Sequence, residues 1–236
     1  MSFDEFGFGD NDSHAQATSN RFKGKTDQHY RVSFGWWELD SKGNLNIDAT
    51  TPRFVSARRL YAENVGYFLD RGPEFQSFAK GPSKLTIGSI IVEWPVDDDD
   101  PEVNINKLLK GKFSVLPWTF SQDKYRELAR RHARKPFNNH DLLIHCTDAQ
   151  YQKMTFDTAD ECMLREVFES KDKKLVAVKN QLIQQIKGAA DRIQGSLAQD
   201  LTVDQIRQRL GDTPGVLDAE DMTSDDIDSA LMDALG

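Results

Sequence analysis

The stretch Tyr30-Arg31-Val32-Ser33-Phe34-Gly35-Trp36-Trp37 sets the fold. Tyr30, Val32, Phe34 and Trp36 fall on one side of an extended chain, and Arg31, Ser33, Gly35 and Trp37 on the other. That is the period of a half-buried β-strand. The turn signal Asp40-Ser41-Lys42-Gly43 follows, so residues 44–48 read as its hairpin partner. Further strands are expected over residues 85–96, rich in Ile and Val, and over 112–120, kinked at Pro117. Two more, 141–147 and 150–156, flank a tight turn at Asp148-Ala149.

Helices fill the intervals. Thr51-Pro52 resembles an N-cap with proline at the first helical position. Phe54, Ala57, Tyr61, Val65 and Phe68 follow at helical spacing, with Arg58 and Arg59 on the opposite face. Gly66 weakens that helix, and a strand pair is the alternative. Ser121 caps a short helix reaching about Ala133, and Thr158-Ala159-Asp160-Glu161 fits a capping box opening another to about Phe168. From about Asp172 to Gln199 the apolar stripe Leu175, Val178, Leu182, Ile186, Ala189, Ile193 and Leu197 marks a long amphipathic helix. Thr202-Val203-Asp204-Gln205 is a second capping box, and Gly211 ends its helix. Strands early and helices late indicate α+β. No βαβ alternation is present, so a small β-barrel with inserted helices fits better than a doubly wound sheet.

The 236 residues can bury a proper core, and no apolar run approaches the ~20 residues that span a bilayer. The N-terminus has neither the basic nor the apolar segment of a signal peptide, and two cysteines build no disulfide framework. A soluble protein of a reducing, cytoplasmic compartment is expected. The net charge of −8 is segregated: residues 1–20 carry −4, residues 212–236 carry −8 without a single Lys or Arg, and the body between carries +4. Within the body, residues 107–135 reach +7. A basic body can meet polyanions, and acidic tails can compete for the same surface or simply keep the chain soluble.

No P-loop, dinucleotide-binding glycine turn, nucleophile elbow or zinc-protease motif is present, and nothing argues for an enzyme or a cofactor. His140, His145, Cys146 and Cys162 could in principle hold zinc, but their spacing is not that of a finger or ribbon. The better reading places Cys146 in the core beside Leu142 and Ile144, with the histidines on the surface and no metal.

Basic residues interleaved with aromatics remain. Single-stranded nucleic acid needs cations along a groove for its phosphates and flat rings for its bases, each ring contributing roughly 1–3 kcal/mol. The candidate rings are Trp37, Trp118 and Tyr151. The candidate cations are Arg31, Arg58, Arg59, Lys110, Lys112, Lys124, Arg126, Arg130, Arg131, Arg134 and Lys153. Packing competes with binding at each ring, and a solvated helix face competes at 126–135.

The order of parts is similar to that of phage single-stranded DNA-binding proteins of the T4 helix-destabilising type. Three features carry the resemblance: basic-aromatic strands ahead of helices and an acidic tail; the segments 115–125 (VLPWTFSQDKY) and 140–153 (HDLLIHCTDAQYQK); and the ending 225–235 (DDIDSALMDAL). The family's one-histidine, three-cysteine zinc cluster is missing here, and an acidic N-terminal arm stands where the family has a basic one. Residues 1–28, polar and rich in Ser, Asn, Gly and Asp, read as a disordered arm. The resemblance implies an OB-like barrel over residues 29–170, a helical extension over 171–211 and a disordered protein-interaction tail over 212–236. It implies sequence-nonspecific coating of single-stranded DNA in phage replication, recombination and repair, within the host cytoplasm. The tail residues Asp225, Asp226, Ile227, Asp228, Leu231, Asp233 and Leu235 would recruit replication and recombination proteins. The rival readings are a transcription co-regulator or adaptor that grips a polymerase through the tail, and a virion or scaffold protein.

Overall fold

The computed structural model describes residues 21–38, 40, 45–97, 100–147 and 153–211. In chain order its elements are β1 (Gln28–Phe34), β2 (Val55–Ala62), β3 (Gly66–Leu69), α1 (Pro73–Gln76), β4 (Lys84–Trp94), β5 (Val96–Asp97), β6 (Asp100–Val103), α2 (Ile105–Leu109), β7 (Ser114–Ser121), α3 (Gln122–Arg134), β8 (Leu142–Cys146), β9 (Met154–Thr158), α4 (Met163–Glu169), α5 (Lys173–Leu197) and α6 (Val203–Leu210). The chain forms two compact units, Met1–Arg59 with Lys84–Gln199, and Leu60–Ser83 with Asp200–Gly236.

The larger unit is built on the long strand β4. Along one edge β4 pairs with β7, from Thr86↔Ser121 to Glu93↔Ser114. Its other edge is shared between β2, near Val55↔Gly88, and β1, near Phe34↔Ile91. β8 pairs with β1 and β9 with β8, and every pairing is antiparallel. The fold is therefore α+β, as expected. The barrel is not closed: among the described strands β7 and β9 are not hydrogen-bonded to each other. They do approach, because the sheet curls until Trp118 of β7 meets Phe156 of β9, with ring centroids 6.0 Å apart. Pro117 does not break β7. Its carbonyl accepts from Phe22 N (2.9 Å) on the side away from β4, so its ring nitrogen also faces that edge and no ladder bond is lost.

Helices cover both faces. The stripe Val178, Leu182, Ile186, Ala189, Ile193 and Leu197 of α5 is buried as the sequence indicates. Gly88 permits its approach: a Cβ there would lie 3.0 Å from Leu197 Cδ2. The opposite face carries the aromatic core. Phe34 stacks on Phe137 at 4.9 Å, and Trp118 packs edge-on against Phe22, Phe120 and Phe156. Phe22, assigned from sequence to the N-terminal arm, is thus a core residue with 5% of its surface exposed. α3 lies on this face, its Tyr125 meeting Phe54 at 5.1 Å.

Three expectations fail for identifiable reasons. The helix expected over Phe54–Phe68 is instead the strands β2 and β3, joined through Asn64 and Gly66, whose φ angles of 64° and 83° take the left-handed conformation a tight turn requires. The capping box at Thr158 is not formed, because Thr158 ends β9. α4 starts at Met163 instead, and Asp141, distant in sequence, accepts from Met163 N at 3.0 Å. The hairpin partner expected over 44–48 is, among the described residues, a single bridge at Leu45.

The smaller unit has its own core of Leu60, Ala62, Val65, Phe68, Leu201 and Ile206. α6 has the expected capping box of Thr202 and Gln205, and Gly211 closes it at φ 81°. No helix among the described residues is long and apolar enough to cross a membrane.

Candidate nucleic-acid interface

The basic run sits on α3. Ser121 caps this helix, its side chain accepting from Lys124 N. One face is apolar, with Leu128 buried and Tyr125 on Phe54, so the charged residues are forced onto the other. Arg126, Arg130 and Arg134 recur every fourth residue and are exposed, about 6 Å apart along the axis. Arg131 and Lys124 are half-buried and anchored on β9, with Arg131 Cζ 6.0 Å and Lys124 Nζ 5.2 Å from the Phe156 ring centroid. Between α3 and β9 lies a groove of 480 Å³ lined by Arg130, Arg131, Arg134 and Lys135, with Glu127 and Thr158. Arg131 Nε is buried there without a hydrogen-bond partner among the described residues, while its terminal nitrogen reaches Glu127 at 3.4 Å. Four cations thus line the groove with Glu127, and Lys135 Nζ also pairs with the exposed Asp160 at 3.2 Å.

The structure brings some of the other sequence candidates to this region and removes others. Arg58 is exposed, and the register Ala57↔Thr86↔Ser121 puts it about two strand spacings, roughly 10 Å, from the start of α3 and on the same sheet face. Arg59 faces the other way, half-buried, donating to Leu197 O at 3.4 Å. Lys153 is exposed just before β9. Lys110 and Lys112 are exposed at the opposite end of β7, on the order of 25 Å of strand away from α3. Tyr151 and the tail residues Asp225 to Leu235 lie outside the described residues.

Three candidates belong to the interior. Trp37 is 0% exposed and its Nε1 donates to Phe34 O at 2.6 Å. Trp118 is 2% exposed in the aromatic core. Arg31 is 5% exposed and holds Asp141 at 2.8 Å and Glu102 at 3.0 Å. Strand alternation correctly separates Arg31 from Val32, but β1 is central and covered on both faces, so its second face is no outer surface. Burial alone would lower the Arg31 pKa. The two carboxylates outweigh it and hold the guanidinium charged. Asp141 also accepts from Ser33 Oγ and Met163 N, and Trp94 Nε1 donates to Ser33 Oγ at 2.7 Å. This closed network fastens α4 to the sheet.

Cys146 and Cys162 are buried and not joined in a disulfide, and burial first, then the nearby Asp141, pushes Cys162 up to about 12. His140 meets Ala159 O at 3.1 Å, and His145 stacks on His29 at 4.1 Å. The described residues contain no group of three or more His, Cys, Asp or Glu placed to hold a metal. The exposed rings that the sequence reading passed over are Tyr61 (44%) and Tyr67 (40%) of the smaller unit, with centroids 5.1 Å apart. Read as helical core, Tyr61 gave no sign of exposure; only β2–β3 pairing turns it outward.

Compared with protein-family models, with curated proteins and with solved structures, the chain matches none.

Proposed function

We propose that this protein binds single-stranded DNA without sequence preference, coating it stoichiometrically rather than acting as an enzyme. The observation that carries the reading is the α3–β9 groove, which Arg130, Arg131, Arg134 and Lys135 line, with Arg126 exposed one turn before Arg130 on the same helix. Such a row neutralises phosphates and reads no base edge, which suits nonspecific binding. The curled sheet, with β7 and β9 approaching over an aromatic core, supports reading the larger unit as an open OB-like half-barrel. Tyr151, two residues before Lys153 in sequence, is the proposed stacking ring, and the acidic tail from Asp225 to Leu235 the proposed recruiter of replication and recombination partners in phage-infected cells.

The test is anisotropy of a labelled oligonucleotide, single- against double-stranded, over a salt series. Each phosphate neutralised on a single strand contributes a slope of about −0.7 in log K against log salt. Arg130→Glu with Arg134→Glu removes two contacts and flattens the slope by about 1.4, with the fold unchanged by circular dichroism. Salt-independent binding, equal affinity for duplex, or a variant that binds like the parent refutes the reading.

A further inference from the structure

A second cavity of the larger unit, 690 Å³, opens between α5 and the chain that follows β1. Its volume is that of a small-molecule site, and its lining combines an apolar wall with aromatic rings and a few charged groups. Ile183, Ile186 and Ala190 of α5 supply an apolar wall. Two rings border it, each under a cation. Arg53 Cζ lies 4.5 Å from the Trp36 centroid, and Lys179 Nζ lies 4.9 Å from that of Phe168 while also donating to Phe168 O at 2.9 Å. Lys187 and Asp191, one helical turn apart, stand exposed at the rim. Among the described residues neither Arg53 nor Lys187 is held in an ion pair.

We propose that this cleft binds a nucleotide, a planar base bearing a phosphate, either free or as one residue of a single strand. The apolar wall takes one face of the base, and the Arg53 guanidinium, already carried by Trp36, offers a flat cation to the other. Asp191 accepts from a base N–H, a donor that every base possesses. Lys187, helped by Lys179, meets the phosphate through charge-assisted bonds. An acyl carboxylate fits this set poorly: it would use the wall and one lysine but has no N–H to donate to Asp191 and no planar ring to meet Arg53. The site goes beyond the α3–β9 groove. It lies on the sheet face covered by α5, uses none of the groove's residues, and can hold a ligand whether or not the groove holds a strand.

Trp36 supplies the readout. It is 8% exposed, against 0%, 2% and 2% for Trp37, Trp94 and Trp118, so a ligand entering the cleft changes its emission above that of the others. The full chain is titrated with dAMP, dTMP, a short oligothymidylate, inorganic phosphate and dodecanoate, following tryptophan fluorescence and calorimetry. Saturable binding of both mononucleotides is expected, with phosphate alone and dodecanoate failing to displace them. Arg53→Ala and Lys187→Glu, both at exposed positions, should weaken it about tenfold or more, with the fold checked by circular dichroism because Arg53 packs on Trp36. Trp36→Phe should keep the heat of binding and lose the optical change. Mononucleotides competing with the oligothymidylate for this signal would identify the strand as the source; binding of mononucleotides alone would identify free nucleotide. Arg130→Glu with Arg134→Glu should leave mononucleotide affinity unchanged, which separates failure here from failure of the groove. No saturable mononucleotide binding, binding unaffected by both cleft variants, or preference for dodecanoate overturns the assignment.

Discussion

Replacing Asp141 by alanine should unfold this protein more readily than almost any other single change. The Asp141 carboxylate is fully buried and accepts from Arg31 Nε at 2.8 Å, Met163 N at 3.0 Å and Ser33 Oγ. Its own backbone N–H donates to Glu161 O and its carbonyl accepts from Ala159 N, so the main chain stays pinned and cannot move to fill the gap. Hydrogen bonds to a charged group contribute about 1.5–3 kcal/mol each, which bounds three of them at roughly 4–9 kcal/mol. Removing one partner of a buried ion pair is observed to cost about 3–5 kcal/mol, because water and relaxation recover part of the loss. The lower figure is the expected one here, since Glu102 still faces Arg31 from the solvent side, its side chain 78% exposed. A loss of about 3–5 kcal/mol is a large fraction of the ~5–15 kcal/mol by which typical domains are stable. Guanidinium unfolding, followed by fluorescence and circular dichroism, reads it as a lower midpoint with the slope retained. The double replacement Arg31→Met with Asp141→Leu should be less damaging than Asp141→Ala, because no charge is left buried alone. If Asp141→Ala unfolds within about 1 kcal/mol of the parent, the site is open to water and the network does not fasten α4.

Trp118→Ala, which a surface stacking role would leave folded, should instead cost about 3–5 kcal/mol by chemical denaturation, since the ring packs against Phe22, Phe120 and Phe156. Burial raises the Glu93 pKa, opposed in part by Lys25. A carboxyl whose folded pKa lies above its unfolded value gives its full stability below the unfolded pKa and loses it as pH rises through the folded one. Glu93→Gln should therefore stabilise at pH 7 and do so less at pH 4; equal effects at both would contradict the burial argument. Cys146 and Cys162 should resist Ellman's reagent at pH 8 in the native protein and react in guanidinium, since both are buried and the Cys162 thiol is held at about 12.

What the sequence by itself determined is what short-range chemistry decides. Ser121, Asp172 and Thr202 cap their helices through donors two or three residues away, so α3, α5 and α6 could be read directly. The α5 stripe and the cationic face of α3 follow from helical period alone. β4, β7 and β8 are legible because β-branched and aromatic runs bounded by polar residues have few other uses. Tertiary structure decided which strands are covered twice. Nothing local to Arg31, Trp37 or Trp118 announces that α4 and α5 lie on one face of the sheet and a cluster of rings on the other. For the same reason Tyr61 exchanged places with them. The spacing of Phe54, Ala57, Tyr61, Val65 and Phe68 satisfies a helix, yet pairing with β4 and a left-handed turn at Asn64 and Gly66 stabilise the strand. The cap of α4 passed from Thr158 to Asp141 because a long-range carboxylate, already held by Arg31, outcompetes a local hydroxyl whose residue is committed to β9. Local signals fix an element when its partners are a few residues away; burial depends on partners a hundred residues distant, and only the folded chain supplies them.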